Sequence, residues 1–204
     1  MFGLAAGVLL VPFVSRMAAA QQASGPMVPI ERLDAALLAA MRAGKSTPFV
    51  QRYRMLEPVV TQVFDLQTLL AESVGFTWFS LSPQQKAQLL DVFRRYTVST
   101  YAANFDSYNG QSFRMSPTVR TLRDGRVIVA TVFVPRDDSP TALNYVMKQT
   151  FAGWQIVDVL ADGSISRVAT QRSDFASLLA SGGAPALIAG LQRKIVSLSD
   201  GMMA

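Results

Sequence analysis

The side chains that most often carry protein chemistry are absent from this chain. Its 204 residues include no histidine and no cysteine. That excludes Ser-His-Asp and Cys-His triads, imidazole acid–base catalysis and ordinary zinc centres. Carboxylate and lysine chemistry remains open. Asp158, inside Trp154-Gln155-Ile156-Val157-Asp158-Val159, is the carboxylate to consider. Strand alternation puts it on the pleat face of Trp154 and Ile156. There it is a candidate general base, or a hydrogen-bond partner for a neighbouring backbone group or arginine. No second acid or nucleophile accompanies it. Gly182-Gly183 follows a helical pattern with no strand ahead of it, so it reads as a helix stop and not a phosphate loop.

A second set of residues points to binding without bond-making. Tyr101 and Phe105 close a long helical pattern, and Phe113, Met115, Val132 and Phe133 fall on strand patterns behind it. Tyr145, Met147, Trp154 and Ile156 continue the series on the next two strands. A curved sheet facing a helix leaves a cone-shaped interior, and flexible methionines suit a variable apolar ligand. The same residues would equally serve as an ordinary core.

The elements that must position them are legible in the pattern. Ile30, Leu33, Leu37, Leu38 and Met41 recur at helical spacing over Ile30–Arg42, stopped by Gly44. Pro48 opens a second helix with Phe49, Tyr53 and Leu56, broken near Pro58, and Val59–Phe64 is a further short apolar piece. Asp65 caps a helix reaching Val74 and ended by Gly75. Ser82-Pro83-Gln84-Gln85 is a capping box, predicting a helix from Pro83 to about Asp106. Two adjacent stripes on it, Leu89-Phe93-Tyr96-Thr100 and Leu90-Thr97-Tyr101-Phe105, call for packing on more than one side.

From Gln111 the period drops to two. Asp124-Gly125 predicts a hairpin into Val127–Val134, a run apolar on both faces, and Asp137-Asp138-Ser139-Pro140 a second turn. Leu143, Tyr145, Met147 and Phe151 then share one face of a third strand, and Trp154–Leu160 forms a fourth, closed by Asp162-Gly163. Helices over 171–180 and 184–198 end the chain. The class is α+β: helices, a curved antiparallel four-stranded meander, then helices.

Composition bounds the setting. Half the residues are hydrophobic and 16% charged, so the chain folds around a core. Phe2–Val14 is an uncharged apolar run ahead of Arg16 and Ala18-Ala19-Ala20. It reads as the signal peptide of an exported protein, residues 1–20, although no basic residue precedes it. Residues 21–29 read as a flexible new N-terminus and 30–200 as one domain. Loss of the leader removes Arg16 and no acid, taking the net charge from +5 to +4. No basic stripe interleaved with aromatics is present, so nucleic acid is not an expected partner.

Several of these stretches in order resemble the MlaC, or toluene-tolerance, family of periplasmic lipid carriers. Ser82-Pro83-Gln84-Gln85, Phe93-Arg94, Tyr96 and Tyr101 are similar to its T/S-P-x-Q…F…Y…Y-A stretch. Gly153-Trp154-Gln155-Ile156-Val157-Asp158-Val159 resembles its W-x-I-x-D-V segment, and Gly182-Gly183, Leu187 and Leu191 its closing helices. Asp162-Gly163-Ser164-Ile165-Ser166 and Arg172-Ser173-Asp174-Phe175 are most like the hopanoid-associated HpnM branch. The resemblance implies a sheet related to the nuclear-transport-factor-2-like fold, with a helical subdomain around an apolar lipid pocket. It implies phospholipid or hopanoid as ligand, carried between inner and outer membranes with no cofactor and no reaction. Tyr101, Phe105, Phe113, Met115, Val132, Tyr145, Met147, Trp154 and Ile156 become the candidate lipid-binding residues. The implied partners are an inner-membrane transporter of the ABC or RND type, with an outer-membrane lipoprotein complex as a further candidate. The alternatives are a small enzyme on the same sheet with Asp158 as base, and an envelope binding module that takes no lipid.

Overall fold

The structure, a computed structural model, describes residues 25–136 and 138–203. The expected leader lies outside them, as do Gln21–Ser24 and one residue of the second turn, Asp137. Helix α1 (Val28–Ala43) starts with Pro29 in its first turn and stops at Gly44, whose N–H bonds Ala40 O. Its buried face carries Ile30, Leu33, Leu37 and Met41, as the spacing predicts.

Helix α2 (Phe49–Val63) does not break at Pro58 but runs through it and absorbs the predicted 59–64 piece up to Val63, leaving Phe64 as its extended cap. Pro58 sits on the exposed face, where the missing N–H is closest to water. Leu56, Val60 and Val63 keep the opposite face buried across the proline, and that packing outweighs the local defect. Helix α3 (Leu66–Val74) is capped as predicted, Asp65 accepting from the Thr68 N–H at 2.9 Å. After the short α4 (Thr77–Ser80), the Ser82–Gln85 capping box starts α5 (Pro83–Asn104) with both reciprocal bonds made. Helix α5 buries Leu89, Val92, Phe93, Tyr96 and Val98 against its neighbours, about 1.5–3 kcal/mol for each large apolar side chain.

The sheet order is β1-β2-β3-β4-β5, all antiparallel: β1 (Ser112–Thr121), β2 (Val127–Val134), β3 (Thr141–Thr150), β4 (Gly153–Ala161) and β5 (Ile165–Ser166). The expected four strands are thus five. After the Asp162-Gly163 turn, Ile165 and Ser166 pair back onto Ala161 and Leu160 before the last helix starts. Edge strand β1 slips register between Met115 and Val119, around Pro117, which has no N–H for the ladder. Phe151, expected on the inner face with Met147, lies in the β3–β4 turn and is fully exposed. The hairpin closes at Thr150 and Gly153, so the alternation ends before reaching it.

Helix α6 (Arg167–Leu198) joins the two predicted C-terminal helices across non-helical backbone at Gly182 and Gly183. It is long and apolar enough by composition to cross a bilayer. The kink, however, leaves two halves each shorter than the roughly 20 residues a span needs. Val168, Phe175, Leu187, Leu191 and Ile195 are buried in the main core, against α3, α5 and β4. One continuous core fills the space between the helices and the inner sheet face, while Ile128, Val146 and Val157 form a small cluster on the other face.

Candidate functional site

Where α5 crosses the inner sheet face, the core does not close. A cavity of about 320 Å³ remains, at the small end of the roughly 300–1,000 Å³ common for small-molecule pockets. Helix α5 gives it Phe93, Tyr96, Thr97, Thr100, Tyr101 and Asn104. The wall opposite is Leu143 and Tyr145 of β3 with Val159 and Ala161 of β4. Phe64 and Leu69 close one side, while Arg167 and Gln171 of α6 line another.

Two hydroxyls in this lining are already satisfied within their own helix. The Thr97 and Thr100 hydroxyls donate to Phe93 O and Tyr96 O of their own helix, at 2.8 and 2.9 Å. An aromatic chain runs along the wall: Phe64 to Tyr101 at 5.6 Å between centroids, Tyr101 stacked on Phe105 at 5.9 Å. Phe105 meets both Phe113 and Phe133, which face each other across β1 and β2. Burial pushes the Tyr101 phenol well above its usual range, opposed by the Arg167 charge and reinforced by Asp34. Tyr145 moves the same way, through burial first and then Tyr101 and Asp34. Asp34, on the buried face of α1, has no hydrogen-bond partner for Oδ1. Its carboxyl is pushed up to about 7, by burial and then by Glu31.

The nine candidate residues distribute unevenly around this cavity. Tyr101, Phe105 and Tyr145 line it. Phe113, Met115 and Trp154 pack against the same core beside it, and Met147 and Ile156 are fully buried within that core. Val132 keeps the alternation of Ile128, so it lies on the sheet face away from the helices. The α5 stripe Phe93, Thr97, Thr100, Asn104 and the α6 pair Arg167 and Gln171 were not among the candidates. Their signal is positional only: spacings of three and four along a helix whose other faces are claimed by packing.

Asp158 takes a different place from the one alternation predicts. Met147 pairs with Ile156 but Val146 pairs with Asp158, so Val157 is an extra residue in β4. This bulge turns both Val157 and Asp158 to the outer side. Asp158 accepts from Ser166 Oγ at 2.5 Å and from the Val168 N–H at 3.1 Å, fixing the start of α6. It does not line the cavity. Among the described residues no three carboxylates gather as a metal site would require.

Solved structures share this architecture. A phospholipid-binding protein from Ralstonia solanacearum, solved in complex with a phospholipid, superposes with a TM-score of 0.72 at 20% identity, over 86% of this chain and 99% of that one. The likeness is one of fold. Residues 31–193 match the MlaC protein family, and the chain therefore belongs to it.

Proposed function

We propose that this chain is a periplasmic lipid carrier, exported by its N-terminal leader, that holds an acyl chain in the cavity beneath α5 and performs no reaction on it. The observation that carries the reading is an apolar cavity, walled by Tyr101, Phe105 and Tyr145, in a chain of the MlaC family. The structural neighbour's phospholipid supports the class of cargo. A hopanoid is the second cargo class, from the likeness of 162–166 and 172–175 to the HpnM branch.

The energetics fit such a task. Each methylene kept from water is worth about 0.8 kcal/mol, so a 16-carbon tail needs roughly 13 kcal/mol of shielding. Release therefore requires a partner offering an equally apolar path, an inner-membrane lipid transporter of the ABC or RND type or an outer-membrane lipoprotein complex.

Protein purified from a Gram-negative host and examined by native mass spectrometry should carry a co-purifying lipid. Ala161→Trp, which fills the cavity from a small lining residue, should empty it while keeping the fold. Delipidated protein that takes up neither phospholipid nor hopanoid overturns the reading.

A further inference from the structure

Between Glu72 and Lys86 the chain carries no charge, and the single turn of α4 lies in the middle of that stretch. The inward positions of the turn are taken by Trp78, which packs against the main core, and by Leu81, which is buried. Phe76 and Phe79 are left pointing outward, 95% and 80% exposed. They stand three residues apart on helical backbone, so the turn presents both rings on one side. The Phe79 N–H bonds Phe76 O at 3.2 Å and the Trp78 N–H bonds Gly75 O at 3.0 Å, which holds the turn in shape. The other exposed large apolar side chains, among them Met55, Val119 and Phe151, stand singly on separate elements. A single exposed ring is ordinary on a protein surface, whereas adjoining rings mark a contact site.

The charges that border the pair are mostly positive. The Lys86 ammonium sits 5.4 Å from the centre of the Trp78 ring, at the foot of the patch. At its other end the Arg172 side chain lies beside Gly75, the guanidinium donating to Glu72 O at 2.8 and 2.6 Å. Glu72 is the bordering acid. A phenylalanine ring offers roughly 150–250 Å² of surface, so the two together offer on the order of 300–400 Å². Two copies meeting through this patch would bury about 600–800 Å², short of the roughly 1,200 Å² at which stable protein interfaces begin. A bilayer interface asks for no matching pocket. Protruding rings sink to the acyl boundary there, while cations on long stems stay with the lipid phosphates.

We propose that Phe76 and Phe79 are a two-pronged anchor that seats this protein on the surface of a lipid bilayer, with Lys86 and Arg172 at the level of anionic head groups. The anchor is a contact with the membrane itself and acts whether or not the cavity is filled, since none of residues 75–86 lines that cavity. It is nevertheless tied to it. Ser73, near the end of α3, donates to Gln171 at 3.1 Å, and Gln171 is part of the cavity lining. Seating the two rings therefore brings this side of α6 close to the membrane. Two rings also make a weak hold, far below that of a spanning helix, so the contact is readily reversed.

The test is flotation of the protein, as purified from a Gram-negative host, with vesicles of phosphatidylethanolamine mixed with phosphatidylglycerol and with neutral phosphatidylcholine vesicles. Phe76→Ser and Phe79→Ser should each weaken partitioning into the mixed vesicles about tenfold, the scale for withdrawing one large apolar side chain from burial. The double variant should lose more than either, with its melting temperature unchanged because neither ring belongs to the core. Lys86→Gln should weaken binding to the mixed vesicles about fivefold and leave binding to phosphatidylcholine unchanged. Wild type that does not float with the mixed vesicles, or a double variant that floats like wild type, overturns the anchor. Self-association of wild type without vesicles, abolished in the double variant, makes the patch an interface between copies and overturns the membrane assignment. Ala161→Trp, which fills the cavity, should float like wild type; its failure to do so places vesicle binding in the cavity and overturns the anchor. Flotation intact in protein that takes up no lipid supports the anchor and removes the carrier reading.

Discussion

Asp34 offers the sharpest quantitative test of how this core is built. Its carboxylate lies on the buried face of α1, 9% exposed, with Oδ1 unpartnered and Glu31 one turn before it. The unfolded carboxyl ionises near 3.8 and the folded one near 7. Between those values the folded protein holds a proton that the unfolded chain has released. Stability therefore falls as pH rises through that window, and the full penalty is present above pH 7. At about 1.4 kcal/mol per pH unit the interval corresponds to about 4 kcal/mol, an upper bound, because water at the edge of the site screens the charge. About 2 kcal/mol is the working expectation. Asp34→Asn removes the charge at nearly constant volume, so it should stabilise the protein by that amount at pH 8, raising Tm by about 4–8 °C. The gain should shrink to a small fraction by pH 4, where the folded carboxyl is neutral and the unfolded one only partly ionised. Thermal melts of the two proteins from pH 4 to pH 8 provide the assay, and Glu31→Gln should give a smaller gain of the same sign. A Tm difference that does not change with pH, or an Asn variant less stable at pH 8, refutes the argument.

Further outcomes follow from the α6 geometry. Gly183 has φ 60° and ψ −149°, a region open almost only to glycine. Gly183→Ala should then cost about 1–3 kcal/mol in denaturant unfolding, whereas an unchanged midpoint means the kink relaxes freely. Asp158→Asn weakens the bonds to Ser166 and the Val168 N–H and should cost about 1–2 kcal/mol while leaving lipid uptake intact. Loss of a turnover activity in that variant, with stability unchanged, would favour the enzyme alternative.

Much of the fold was legible because its signals are local. The Ser82–Gln85 box, the Asp65 cap, the Gly44 stop and the Asp124-Gly125 hairpin are each decided within four residues, and each stands as read. What escaped is decided by tertiary contacts. Pro58 signals a break, but nothing in its neighbourhood tells that Leu56, Val60 and Val63 lock one continuous helix face. The bulge at Val157 is invisible to alternation, since Ile156, Val157 and Val159 are equally apolar, and one extra residue moved Asp158 to the other side of the sheet. The site was partly legible for a related reason. Tyr101, Phe105 and Tyr145 announce themselves by size, whereas Thr97, Thr100 and Gln171 matter through which face α5 and α6 turn to the gap. Polar residues at helical spacing look the same whether they face a cavity or solvent.

The mostly apolar wall of the cavity has a consequence for how such a site would work. Dispersion and the hydrophobic effect are non-directional and scale with buried area, so a wall of Phe64, Phe93, Tyr101, Phe105 and Leu143 retains a tail without fixing its identity. Thr97 and Thr100 do not alter this, because their hydroxyls are tied to their own helix. The tail can then leave into any environment of equal apolarity with little net change in free energy. Arg167 is, among the described residues, the one charged side chain in the lining and is exposed, so any attraction it exerts on an anion is screened by salt, with a screening length falling from about 10 Å at 0.1 M to about 3 Å at 1 M. Retention of a tail by such a wall would thus rest on buried area, which salt does not screen, and a salt-dependent step in loading or release would have to act at the exposed residues and not at the wall.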